Sequence, residues 1–233
     1  MRRAAPLLAY SMLALAGCAS APVVPPVVAT APAVTIGSEP AGWDVTASAS
    51  DRQRIAALPA TWARARAAVP RRQAAKLKAE GALVDPAAAL EAPTLPPGPY
   101  HCRLVRFGGR AGFASYAPDF CYVEVEKDSL AFTKQTGTNL PVGWLFPDTH
   151  TRQIFLGSFK RPGEAAAPAY GDRPAQDVAG VVERVAPFRW RLVLTQAGNG
   201  AMLDIYELVP VTPLVPGAKP AVPAAEKPAD QAG

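Results

Sequence analysis

The sequence predicts an α+β fold: an antiparallel β-barrel or half-barrel of about eight short strands with an N-terminal helical segment packed on it. Three observations carry this expectation. From Tyr100 onward, apolar and polar residues alternate with period two in short runs broken at Gly and Asp and rich in aromatic and β-branched residues. No helical pattern intervenes between these runs, so consecutive strands are expected to meander through one curling sheet. Upstream, Ile55, Leu58, Trp62, Ala65 and Val69 recur at spacings of three and four, an apolar stripe suited to covering one sheet face.

The chain opens with a basic pair, Arg2 and Arg3, an apolar run from Leu7 to Leu15, and the small residues Ala16 and Gly17 ahead of Cys18. That is the form of a lipoprotein signal, residues 1–17, too short for a stop-transfer helix of about 20 apolar residues. Cleavage before Cys18 and acylation of its thiol would attach the chain to a membrane through lipid. Each buried methylene contributes about 0.8 kcal/mol, so two or more chains hold firmly. The alternative is an ordinary secretory signal with a coincidental cysteine. Ala19 in place of an aspartate resembles lipoproteins sorted to the outer membrane and facing the periplasm. Residues 18–42 mix Pro, Ala, Val and Thr and read as a disordered, extended tether.

Residues 43–96 form the helical segment and its connector. Ser50, Asp51 and Gln53 have the form of a capping box, and Pro59 predicts a kink or a helix that begins there. Pro70 stops that helix, and a second short one over 71–80 is expected to end at Gly81. The β domain, residues 97–211, is expected to place strands at 100–107, 120–126, 129–135, 142–146, 153–159, 179–185, 189–195 and 202–209. Lys127-Asp128 and 148–151 read as tight turns, and 108–119 as a long loop. Residues 212–233 are again Pro-rich and read as a disordered tail.

Composition narrows the function classes. The formal charge of +5 falls to +3 without Arg2 and Arg3, too mild and dispersed to argue for nucleic acid. Cys102 and Cys121 remain once Cys18 is acylated, and in an oxidising compartment they are expected to pair. With only His101 and His150 to accompany them, no metal site and no cofactor is indicated.

Candidate chemistry is sparse. Thr133 to Thr138 is a polar cluster in which Gly137 and Lys134 could receive an anion, with a hairpin turn at 136–139 as the plainer account. Trp144, Phe146, Phe155, Phe159, Phe188, Trp190 and Tyr206 are expected to fill the barrel, or to line an apolar pocket if it is splayed. Lys134, Thr136, Trp144 and Trp190 are therefore the candidate ligand-binding residues. Asp172, Asp177 and Glu183 are the carboxylates from which a hydrolase would draw an acid and a base. No G-x-S-x-G elbow is present.

Trp43 with Ser50-Asp51-Arg52, the run Pro97 to Arg103, Thr133 to Gly137, Phe155-Leu156-Gly157, Tyr170-Gly171-Asp172, Trp190-Arg191-Leu192 and Leu203 to Leu208 resemble a family of uncharacterised bacterial lipoproteins catalogued as a domain of unknown function (DUF4893). The resemblance spans about residues 43–211 and implies a shared fold without an assigned activity. Thr138-Asn139-Leu140 departs from that family's Ser-Gln-Arg, so an anion-binding arginine is not expected there. A looser likeness, at the level of fold, is to lipocalin-like inhibitor barrels. The expected function is a lipid-anchored periplasmic protein, non-enzymatic, binding an envelope protein or a small ligand. The alternative is a cell-envelope hydrolase acting on peptidoglycan or a related polymer.

Overall fold

The computed structural model describes residues 42–195 and 200–211. Cys18, the signal, all of the tether but Gly42, and the tail beyond Val211 lie outside the described residues. Eight antiparallel strands form a closed barrel in sequence order, β1 (Gly98–Gly108), β2 (Gly112–Glu126), β3 (Ser129–Lys134), β4 (Leu140–Thr149), β5 (Arg152–Lys160), β6 (Asp177–Ala186), β7 (Arg189–Leu194) and β8 (Ala201–Pro210). Closure is made by β8 returning to β1, with Leu104 opposite Tyr206. The period-two pattern therefore reports a real sheet, and the expected eight strands are found. The stretch expected to be a long loop after Gly108 is instead a hairpin, in which β2 starts at Gly112 and pairs Phe113 with Phe107. Small and polar residues there concealed the alternation.

Alternation divides each strand between two cores. Tyr100, Cys102, Leu104, Cys121, Val123, Phe132, Phe155, Val182, Trp190, Leu192, Tyr206 and Leu208 form the barrel interior. Cys102 and Cys121 are joined by a disulfide within it, with their Cα atoms 5.8 Å apart. Val105, Phe107, Ile154, Leu156, Ala179, Val181, Val193, Leu203 and Ile205 point outward and pack beneath the helices. Gly143 and Gly157 face each other across β4 and β5, where a Cβ on either would fall under 3 Å from the opposite backbone. Only glycine permits that approach.

The helical cover comprises α1 (Trp43–Thr46), α2 (Ala49–Ala56), α3 (Leu58–Ala67), a 3-10 turn at Arg71–Gln73 leading into α4 (Ala74–Ala79), and a second 3-10 turn at Gly81–Val84. Ile55, Leu58, Trp62 and Ala65 are buried as the stripe requires. The break falls at Ala57, with Pro59 in the first turn of α3, where its missing N–H has no helical partner to lose. The cap of α2 is Ser48 rather than Ser50: its Oγ accepts from the amide of Asp51 at 3.1 Å. Of the aromatic set expected inside, Phe155, Trp190 and Tyr206 are interior, with Phe159 packed against them. Phe146 packs instead with the outer core, Trp144 shares the outer face with it, and Phe188 is 75% exposed at the β6–β7 turn.

A row of alternating charge seats the cover. Register places Glu183, Arg191, Glu207 and Arg103 side by side on the outer face of β6, β7, β8 and β1. Arg191 is fully buried, donates to Glu183 at 2.7 Å, and sends Nη1 to the carbonyls of Ala82, Leu83 and Asp85. It also lies 5.2 Å from the Trp62 ring centre. Arg103 bridges Glu207 and Glu80, both at 2.6 Å, and its guanidinium holds the Glu80 carboxyl below the usual range. The connector then crosses the short-turn end of the barrel, where Leu90 pairs with Arg184 and the buried Leu95 closes the interior. Replacing Arg191 with Ala strands three carbonyls and one carboxylate, so the Arg191→Ala protein should lose about 3–5 kcal/mol in urea unfolding, whereas Arg184→Ala, which removes one solvent-accessible bond to the Glu91 carbonyl, should lose about 1 kcal/mol.

Candidate functional site

The connections at 109–111, 135–139 and 161–176 gather at the barrel end opposite Leu95. Here the interior becomes polar. Lys134 is buried, and its ammonium meets Asp119 Oδ2 at 2.7 Å and donates to the carbonyls of Thr136 and Thr138 at 2.7 and 2.9 Å. Its three N–H groups are thus all used, and they draw carbonyl oxygens rather than amides to the site. Gly137, at φ +77°, lies so close to the Asp119 carboxylate that a Cβ would approach it to 2.4 Å. The Thr133 to Thr138 cluster is accordingly a turn wrapped on an ion pair. Nearby, Arg106 forks onto Asp204 through Nε and Nη2 at 2.6 and 2.5 Å, and Tyr206 donates to the carbonyl of Asn139.

The structure does not bring the four candidate binding residues together. Lys134 and Thr136 stand at the long-loop end, whereas Trp190 is interior near the short-turn end, edge-on to Tyr100 at 6.4 Å. Trp144 lies on the outer face with Ala131 and Thr133. The candidate carboxylates also separate. Glu183 is bound into the charge row, six residues along β6 from Asp177, about 20 Å at the usual strand rise. Asp172 is exposed in the β5–β6 loop.

Asp177 does enter a cleft, with a partner that the sequence reading assigned only to capping. A hollow of about 320 Å³ opens between the start of α2 and the β5–β6 loop, lined by Ser48, Ser50, Asp51, Arg54, Tyr170 and Asp177 among others. Asp51 is 2% exposed and accepts from Arg54, from Ser48 Oγ at 2.8 Å and from the Tyr170 hydroxyl. The Ser48 amide donates in turn to the Tyr170 oxygen at 3.0 Å. Both carboxylate oxygens of Asp177 accept from the Gly171 amide at 3.2 Å. Burial, reinforced by the hydrogen bond to Asp51, pushes the Tyr170 phenol above its ordinary pKa, so it is a proton donor at neutral pH. The signal for this site was present in the capping pattern, because a buried cap carboxylate has acceptor capacity left over for a distant loop.

Among the described residues no group of three or more His, Cys, Asp or Glu side chains could hold a metal, and no helix is long and apolar enough to cross a membrane. The family model described as Domain of unknown function (DUF4893) matches residues 43–208, which include the helical cover and nearly all of the barrel. The chain belongs to that family. No curated protein and no solved structure matches it.

Tyr100, Tyr170 and Tyr206 all hold their protons more tightly in the folded chain, mainly because burial disfavours the phenolate, with Tyr100 pushed up to about 12. Unfolding above the ordinary value near 10 therefore releases protons. Stability should be level in this respect below pH 10 and fall as pH rises from 10 to 12, read as a declining urea midpoint with a further rise in phenolate absorbance, from these three tyrosines, on unfolding.

Proposed function

We propose that this chain is a lipid-anchored protein of the bacterial envelope, attached through Cys18 to the outer membrane and facing the periplasm, whose barrel is a non-enzymatic binding module for a small polyhydroxylated ligand. The lipoprotein signal supports the location. The single observation supporting the binding role is the cleft at Ser48, Asp51, Tyr170 and Asp177. Its side chains are held by one another, while Thr46 and Ser50 bring further hydroxyls and Arg54 a charge to its wall. A wall of donors and acceptors held in place before the ligand arrives suits sugar hydroxyls, since little side-chain entropy remains to be lost.

The hydrolase reading is favoured by one specific feature, the presence of two carboxylates, Asp51 and Asp177, on the same cleft. Against it, Asp51 is surrounded by donors from Arg54, Ser48 and Tyr170, so its oxygens are committed to positioning. Asp177 alone does not supply the acid and base that glycoside cleavage requires.

Two measurements test the proposal. Metabolic labelling with a palmitate analogue should mark the chain and leave Cys18→Ser unmarked; an unlabelled wild type removes the anchor. Soluble cell-wall glycan fragments should bind saturably with unchanged mass, and Arg54→Gln should weaken them about tenfold, the worth of one charge-assisted hydrogen bond. New reducing ends that vanish in Asp177→Asn would establish the hydrolase instead.

A further inference from the structure

The buried cations of the barrel use their hydrogen-bonding capacity very differently. Lys134 has an acceptor for each of its three N–H groups. Arg191 donates from Nε to Glu183 and from Nη1 to three carbonyls, while its Nη2 lies 2.7 Å from the Glu183 carboxylate, enclosed and without a hydrogen bond of its own. Arg106 differs from both in leaving most of its donors unused beside a hollow. A guanidinium carries five N–H donors, and Asp204 takes two of them, one from Nε and one from Nη2. The remaining three, both on Nη1 and the second on Nη2, have no acceptor among the described residues. They include the parallel pair at the tip of the guanidinium, the edge that matches the two oxygens of a carboxylate or phosphate.

This edge belongs to a residue only 9% exposed, and that residue lines a hollow of about 480 Å³ at the end of the barrel opposite Leu95. Arg110 and Tyr116 line the same hollow, with Gly108, Gly109, Ala111 and Ala114 completing the wall. No acidic residue is among them, because Asp204, wholly buried, stands on the far edge of Arg106. That placement matters in two ways. Asp204 holds the guanidinium in one orientation, so a second anion meets a fixed fork rather than a mobile side chain. The Asp204 charge is neutralised by Arg106, which leaves Arg110 to make the hollow electropositive.

We infer that the hollow bounded by Arg106, Arg110 and Tyr116 is a binding site for the oxyanion group, carboxylate or phosphate, of a small molecule. The free fork of Arg106 receives two oxygens, Arg110 adds the charge, and the Tyr116 hydroxyl donates to the remaining oxygen of a phosphate. The site is separate from the cleft at Asp51 and stands whether or not that cleft binds a ligand.

The full-length chain is titrated with inorganic phosphate and, separately, with acetate, and the guanidinium NMR signals of Arg106 and Arg110 are followed. Saturable shifts at Arg106 with one or both anions are expected, the stronger of the two identifying the group recognised. Arg110→Gln, an exposed substitution that leaves the Arg106 pair intact, should weaken binding tenfold or more, the loss of one charge-assisted contact. Tyr116→Phe should weaken phosphate more than acetate, and Arg54→Gln in the other cleft should change nothing. No saturable response where a Kd of about 1 mM would be saturated, an unchanged affinity in Arg110→Gln, or a loss confined to Arg54→Gln would each overturn the assignment.

Discussion

The alternating row Glu183, Arg191, Glu207 and Arg103 is the constraint on which the rest of the molecule depends. These four residues sit on the outer face of a barrel whose outer positions are otherwise largely apolar wherever helices cover them. Desolvating charges is costly, and the row tolerates it because each charge stands beside an opposite one and the Nη1 of Arg191 reaches backbone carbonyls. Those carbonyls belong to the 3-10 turn at Gly81–Val84 and to Asp85, so the row fixes where the helical segment can sit. A purely apolar interface would tolerate sliding; a buried guanidinium with assigned partners does not.

From that seating the remaining features follow in sequence. With α3 held over β8 and β1, α2 brings Ser48 and Asp51 against the β5–β6 loop, and Tyr170 closes the contact. The connector from Asp85 onward is drawn along β6 to Leu95, which shuts the short-turn end. The two ends of the barrel thereby become unlike. One is sealed by apolar side chains, whereas the other carries the Lys134 and Arg106 ion pairs and the connections at 109–111, 135–139 and 161–176. Solvent-facing hollows lined by charged and hydroxyl groups arise at and beside the second end.

The fold was largely legible in the chain. Strict alternation at Cys121, Val123 and Val125 or at Trp190, Leu192 and Leu194 leaves little freedom, since a slip of one residue would turn every apolar side chain to the other face. Cys102 and Cys121 were legible as a pair. What failed was local. Ala114, Ser115 and Pro118 lack the size and polarity contrast that marks a strand, so the first half of β2 read as a loop. Ser50 has the capping-box spacing to Gln53, yet the distance from cap to amide selects Ser48. Trp144 and Trp190 could not be distinguished by composition, although parity in their strands puts one outside and the other within.

Taken alone, the sequence determined that eight strands would form one antiparallel sheet, that an amphipathic helical segment would cover it, and that Cys102 and Cys121 would lie on neighbouring strands. These follow from period and spacing, which are local properties of the chain. Tertiary structure alone decided the function of each charge. Glu183 and Asp177 are both acids on one strand, but the first is enclosed beneath a helix and the second faces a cleft. Lys134 and Arg106 are both buried cations, but only the second keeps an open edge. Such distinctions depend on which distant residue arrives opposite a side chain, and that is set by strand register and barrel closure rather than by neighbours in sequence.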